Sequence, residues 1–450
     1  LRPLLCAHAP DTLLELDAVM KKARPGDGRF TELRVGVIGE AGVGKSTLIN
    51  ALLSERLPIL PQGGVGPLTA TPIEVRYSSQ PYVRVACLGS ARVRQLIEAV
   101  ATNSMAPQIQ DADRPRLRAW RQLARLLVGA SQFADLDSPA MLAFLFSCLS
   151  GEIDERVAAV HFDRLLAAQS VVARGDSEAP TLEVIAGVDL PAMLSTLSTH
   201  AAGFLAPLTS SLVIGWDAAL LREEIVLIDL PGLGVANDEY RNRTSSALQG
   251  LDALLWVVDR SGLTQASADL LQSTQFLARM LEESRERRPA TLELAIAVTK
   301  LDQPVSDAVL AGKQSGAERV SWTEAAATCA ARARDVLRSQ FDMELARSLQ
   351  PDDEVFGERV SARLGIFPVF PREYQRLYRA DPDEPTSLRE ADASGVPKLA
   401  ARLAQIGRAH KVDLVHACRR ALPALKQGPA RAEAEVLNLE LRDLMKPRAG

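Results

Sequence analysis

Apolar residues follow two rhythms along the chain. Short, dense apolar runs rich in β-branched residues recur at Leu33–Ile38 (LRVGVI), Ile73–Tyr77, Tyr82–Leu88, Leu212–Gly215, Glu224–Ile228, Ala253–Val258, Leu292–Val298 and Gly365–Val369, the pattern of strands with both faces buried. Between most of them the spacing becomes 3.6 residues, which predicts helices over Lys45–Leu53, Glu239–Gln249, Gln265–Glu283 and Trp322–Arg338. Strands alternating with helices need crossover connections, so the expected fold is α/β with a mostly parallel sheet. From Arg92 to about Ala206 the chain is rich in Ala, Leu and Arg with helical spacing only. Further helical patterns lie at Thr12–Ala23, Val396–Ile406, His410–Leu422 and Arg431–Met445. The predicted organisation is an N-terminal helical segment (1–30), an α/β domain from 31–90 and 205–380, a helical insertion (91–204) and a C-terminal helical segment (381–450).

Composition narrows the class. At 450 residues, 47% hydrophobic and 24% charged, the chain is neither disordered nor built on disulfides. Its 52 Lys and Arg against 56 Asp and Glu give a net charge of −4, so no nucleic-acid partner is expected. Five scattered cysteines without a CxxC spacing, and five histidines outside any ligand spacing, argue for reduced thiols and against a zinc site. A metal would be held by oxygen. The longest apolar stretches fall short of the roughly 20 residues that cross a bilayer, and the first residues lack the pattern of a signal peptide, so a cytoplasmic location is expected.

The candidate chemistry begins at GEAGVGKS, which lies directly after the first strand and opens a helix. This is the phosphate-loop pattern in its required context. Backbone N–H groups of Gly39, Glu40, Ala41, Gly42, Val43 and Gly44 can surround phosphates at a helix N-terminus, Lys45 can reach the β and γ oxygens, Ser46 can ligate Mg²⁺, and Thr47 joins them as an expected nucleotide-binding residue. Asp229 and Gly232 of DLPG end the run IVLI, where a carboxylate can hold Mg²⁺ and Gly232 can offer its N–H to a γ-phosphate. Thr299, Lys300 and Asp302 of TKLD end another strand. Asp302 would accept from the N1 and 2-amino groups of guanine, which adenine cannot reproduce.

In this order the elements resemble those of the GTPase superfamily. The chain is similar in particular to dynamin-like large GTPases, through GEAGVGKSTLINALL, LPILPQGGVGPLTATPIEVRY, IVLIDLPGLG, TKLD and GIFPVFPREY; the stretch LAPLTSSLVIGWDAALLREEIVLIDLPGLG resembles the branch containing the nuclear germinal-centre GTPase and bacterial dynamin-like proteins. The resemblance implies GTP and GDP as ligands, Mg²⁺ as cofactor, hydrolysis to GDP and phosphate, a homodimer through the GTPase domains, and peripheral contact with membranes. It makes Thr69 the threonine that closes on Mg²⁺ and positions the attacking water, with Thr71 as the competing choice, and lays Lys300 along the base.

Three departures stand out. Leu233 occupies the position of the water-orienting Gln of small GTPases, Ala41 and Gly42 replace polar phosphate-loop residues of classical dynamins, and Phe370 and Pro371 stand where the fifth element often has Ser-Ala. Slow intrinsic hydrolysis follows, and a GTP-dependent binding module that hardly turns over is the alternative function. Within the insertion, Arg114, Arg118, Arg121 and Arg125 share one helical face and Leu117, Trp120, Ala124 and Leu127 another, a candidate surface for lipid or a partner.

Overall fold

In the computed structural model the described residues are 32–40, 42–54, 58–60, 73–88, 91, 95, 144–145, 147–149, 157, 161–173, 181–186, 190–201, 208–230, 250–273, 275–285, 292–314, 320–349 and 354–426. They form, in order, β1 (Leu33–Ile38), α1 (Lys45–Leu53), β2 (Ile73–Tyr77), β3 (Tyr82–Cys87), α2 (Phe162–Ala173), β4 (Thr181–Ala186), α3 (Leu190–Ala201), β5 (Thr209–Trp216), α4 (Ala219–Arg222), β6 (Ile225–Asp229), β7 (Ala253–Val258), α5 (Gln265–Ser273), α6 (Phe276–Arg285), β8 (Glu293–Val298), α7 (Asp302–Gln314), α8 (Trp322–Ser348), α9 (Glu354–Arg363), β9 (Gly365–Pro368), α10 (Pro371–Arg379) and α11 (Val396–Lys426). The strands make one nine-stranded sheet in the order β4-β3-β5-β2-β6-β1-β7-β8-β9. From β6 to β9 every pairing is parallel. On the other side β2 lies antiparallel to β6, β5 parallel to β2, and β3 and β4 complete an antiparallel extension.

Strand alternation sends side chains into two cores. Ala253, Leu255 and Val257 of β7 join Val35 and Val37 of β1, Leu48, Ile49 and Leu52 of α1, and Leu399 and Leu403 of α11 on one face. On the other, Leu254, Trp256 and Val258 meet Phe276 and Met280 of α6 and Leu337 and Phe341 of α8. Each face of a parallel sheet needs such a helical cover, which explains why ALLWVV carries no polar position.

The structure corrects four expectations. Thr181–Ala186, inside the predicted helical insertion, is strand β4, paired along its length with β3. The helix expected over Gln265–Glu283 is divided at Gln275, whose φ of 52° breaks it into α5 and α6. Helix α8 continues past Arg338 to Ser348. The two patterns at Val396–Ile406 and His410–Leu422 form one helix, α11. Gly407 lies where they join. A Cβ there would sit 3.0 Å from Ile225 Cγ1 and 3.2 Å from the carbonyl oxygen of Glu223, so glycine lets α11 press onto the start of β6. Nearby, Arg408 pairs with Glu223 at 2.8 Å on the surface. The helices expected at 12–23, 239–249 and 431–445, and the arginine-rich face at 114–125, lie outside the described residues. Among the described residues no helix is long and apolar enough to cross a membrane.

Gly407→Leu should therefore overpack the contact between α11 and β6 and cost about 1–3 kcal/mol. Arg408→Ala should change stability by less than about 0.5 kcal/mol because its ion pair is solvent-exposed. Denaturant unfolding of the two variants checks both, and equal losses would contradict this packing account.

Candidate nucleotide-binding site

The carboxyl ends of the parallel strands build the site, as expected for an open α/β sheet. Strand β1 leads into Gly39, where a Cβ would lie 2.3 Å from the Val257 carbonyl oxygen; the loop can turn this close to β7 only with glycine. Gly44, at φ 101°, then caps α1. Lys45 is buried, and its Nζ donates to the carbonyl oxygens of Gly39 and Glu40, both at 2.9 Å. Burial lowers the pKa of this ammonium, while the charges of Asp229 and Glu40 oppose the shift.

Register brings Asp229 beside the loop: Val37 of β1 pairs with Asp229 of β6, and Ser46 Oγ donates a long hydrogen bond, 3.5 Å, to Asp229 Oδ2. The other oxygen, Oδ1, is buried and has no hydrogen-bond partner among the described residues. Burial pushes the Asp229 carboxyl up to about 6, with Lys45 and Ser46 pulling the other way. A hydroxyl and a half-satisfied carboxylate side by side are hard oxygen donors, and they fit Mg²⁺.

The base side of the site is tied to the phosphate side by Thr299. This residue is buried, and its Oγ1 lies 2.5 Å from the carbonyl oxygen of Val43 and 3.1 Å from that of Val258. Its hydroxyl hydrogen is thus committed to backbone. Thr299 is thereby a strut between β7, β8 and the phosphate loop. Lys300, at φ 56°, turns the chain into α7 and approaches Asp259 at 3.8 Å. Asp302 begins α7, and its Oδ1 is buried without a partner among the described residues. Burial, then the neighbouring Glu373, raises its pKa, against Arg372 and Arg376. An unpartnered acceptor at this strand end is what a guanine edge requires.

The β9–α10 connection is tied into the fold. Phe370 is a core residue, edge-on to Trp322 at 5.1 Å. The N–H groups of Val369 and Phe370 bond to the carbonyl oxygens of Val298 and Ser394 at 2.8 Å each. Thr69, Thr71, Ala41, Gly232 and Leu233 lie outside the described residues.

One residue, Asn50, escaped the sequence reading, and the side-chain contacts of another, Glu40, were not foreseen. Asn50, in the middle of α1, is fully buried; it donates to the Leu60 carbonyl oxygen at 2.9 Å and accepts from the N–H groups of Ile59 and Leu60 at 2.8 and 2.6 Å. It fixes the chain at Ile59 and Leu60. Glu40 sends its carboxylate to Thr264 and Ser267 at the start of α5. The signal for both was a polar side chain in an unfavourable place, an amide among apolar helix positions and an acid in an anion-binding loop.

A model of the dynamin family matches residues 35–300, more than half of the chain, and takes in the phosphate loop, Asp229, Thr299 and Lys300. The chain belongs to the dynamin family. Its α/β unit is accordingly the dynamin-like GTPase domain, with guanine nucleotide as the family's ligand. Two solved structures of an oligomerised bacterial dynamin pair, described as a mechanism for long-range sensing and tethering of membranes, are similar to this dynamin-family chain. One has TM-score 0.43 and 16% identity over 97% of this chain and 49% of that chain. The other has TM-score 0.42 and 15% identity over 97% and 55%. The chain spans about half the length of these structures. No curated protein matches it.

The raised pKa of Asp229 sets a stability prediction for the ligand-free dynamin-family domain. A buried carboxyl whose pKa rises from 3.8 to about 6 destabilises the fold above pH 6, and the penalty fades as pH falls from 6 towards 3.8. Asp229→Asn should therefore stabilise the ligand-free chain at pH 7 by about 3 kcal/mol. The gain should vanish near pH 4. Thermal melts of both proteins across this range check the sign; a less stable variant at pH 7 would contradict it.

Proposed function

We propose that this dynamin-family chain binds GTP with Mg²⁺ and hydrolyses it to GDP and phosphate. The observation that carries the reading is Asp302, an acceptor with an unpartnered buried oxygen, joined to the phosphate loop through Thr299. In this reading Asp302 accepts from guanine N1 and the 2-amino group, and the aliphatic stem of Lys300 flanks the base. Lys45 leaves the carbonyl oxygens of Gly39 and Glu40 for the β and γ oxygens of the nucleotide, exchanging neutral acceptors for charged ones. Ser46 and Asp229 hold Mg²⁺, with Thr69 closing from the loop after Leu60 and Gly232 donating to the γ-phosphate. When bound there, Mg²⁺ would supply neutralisation of the phosphate charge.

Hydrolysis is attack of water on the γ-phosphorus, with cleavage of its bond to the bridging oxygen; Lys45 stabilises the charge that grows on that oxygen. No Gln follows DLPG, because Leu233 stands there. Orientation of the water is therefore assigned to Thr69, completed when two GTPase domains pair. Pairing of two copies and peripheral membrane contact belong to the same proposal and rest on family membership. A GTP-switched binding module with negligible turnover is the second reading, favoured by Leu233 and by Ala41 and Gly42 in the phosphate loop.

Phosphate release per molecule should climb as protein concentration rises, and Lys45→Ala should lower GTP affinity by about tenfold or more. A flat, near-zero rate would select the binding module, and unchanged affinity in Lys45→Ala would remove the phosphate-loop assignment.

Asp302→Asn should weaken GTP by at least about a hundredfold and shift preference towards xanthosine triphosphate, whose 2-oxo group accepts from an amide. Because only ionised Asp302 accepts both guanine donors, GTP affinity of the unmodified chain should fall as pH drops through the raised pKa of that carboxyl. Competition binding with GTP, ATP and xanthosine triphosphate across pH reads both effects. Equal affinity for GTP and ATP would contradict the guanine assignment.

A further inference from the structure

An acid inside an anion-binding loop is a conflict that the fold resolves in a specific way. Glu40 follows the first glycine of the phosphate loop, and one carboxylate oxygen, Oε1, accepts from Thr264 Oγ1 and, at 2.8 Å, from Ser267 Oγ. These two hydroxyls are not incidental surface donors. Thr264 precedes α5, its Oγ1 accepts the N–H of Ser267 at 3.1 Å, and its carbonyl oxygen accepts the N–H of Ala268 at 2.9 Å. Thr264 is therefore the N-cap of α5, and the Glu40 charge rests against the positive end of that helix.

The segment that presents these hydroxyls is itself held in place. The Gly262 N–H bonds to the Asp259 carbonyl oxygen at 3.0 Å and the Ser261 N–H to Asp259 Oδ1 at 2.9 Å. From α8, Gln340 Oε1 accepts the Leu263 N–H at 2.9 Å. Meanwhile the Lys45 ammonium lies 2.9 Å from the carbonyl oxygen of Glu40, so a released carboxylate would have that ammonium within reach.

We propose that Glu40 is a positioning residue of the nucleotide site, whose carboxylate is held by Thr264 and Ser267 so that it braces the phosphate loop against α5 and does not compete with nucleotide phosphates for Lys45. The inference rests on the assignment of the phosphate loop to GTP binding. Without the two hydroxyls, the carboxylate turns to Lys45, and its charge opposes the incoming triphosphate more than the diphosphate. An uncharged Gln at position 40 removes that competition. The hydroxyls then matter much less.

The test is a mutant cycle read as GTP and GDP affinity by calorimetry, with circular dichroism confirming that each variant is folded. Thr264→Val with Ser267→Ala should weaken GTP by at least about tenfold in the unmodified background, and GDP by less. The same pair of changes should cost no more than about threefold when introduced into Glu40→Gln. Thr264→Ser, which keeps the hydroxyl, should retain most of the affinity and serves where the double variant does not fold: a loss there as large as for Thr264→Val overturns the proposal. Equal losses in both backgrounds would show that the hydroxyls merely cap α5, and no loss in either would show that the carboxylate needs no restraint. Absence of GTP binding by the unmodified chain is a different failure, that of the nucleotide-site assignment, and it removes the inference along with it.

Discussion

The placement of buried Lys45 beside Asp229, whose Oδ1 is out of reach of water, is the constraint around which this domain is arranged. Two opposite charges taken out of water are costly unless hydrogen bonds complete them. Lys45 is served by two backbone carbonyl oxygens of its own loop, whereas Asp229 has a weak bond from Ser46 and one oxygen without a partner among the described residues. Asp229 is therefore a half-satisfied carboxylate next to a cation. In the proposed function, anionic nucleotide oxygens would complete Lys45 and a metal would complete Asp229.

Geometry for this comes from the sheet. Pairing of Val37 with Asp229 and of Ile38 with Trp256 aligns the ends of β6, β1 and β7, and the N–H of Thr299 continues the ladder onto Val258 at 2.9 Å. Side chains then lock the loops that leave those ends. Thr299 bonds the phosphate loop to the TKLD segment, Asn50 holds the chain at Ile59 and Leu60, and Glu40 joins the phosphate loop to α5. The segments proposed to read phosphate and base are thus joined directly through Thr299 and Val43.

Much of this was legible from the sequence where a local signal sufficed. The runs LRVGVI, ALLWVV and ELAIAV became buried parallel strands, and GEAGVGKS sits between strand and helix. What escaped depends on contacts distant in sequence. Strand β4 pairs along its length with β3, and its β-branched Thr181, Val184 and Ile185 are a short signal set within a long stretch of helical spacing. Gly407 reads as a helix breaker but remains inside α11, because the close approach to Ile225 and Glu223 needs a missing side chain. The role of Thr299 as a strut rests on two carbonyl partners, one of them 256 positions away in the sequence. Phe370 looked like part of a binding loop, and packing against Trp322 makes it core.

The most direct test of the central claim is calorimetric titration of the unmodified chain with Mg²⁺-GTP and Mg²⁺-ATP near pH 6, in two buffers of different ionisation enthalpy. With the Asp229 carboxyl pushed up to about 6 and that of Asp302 also raised, binding that ionises them should release protons, and the heat should change with the buffer. The account predicts GTP binding with net proton release and at least about a hundredfold weaker ATP. Equal affinity for the two nucleotides, or a heat independent of buffer, would contradict it.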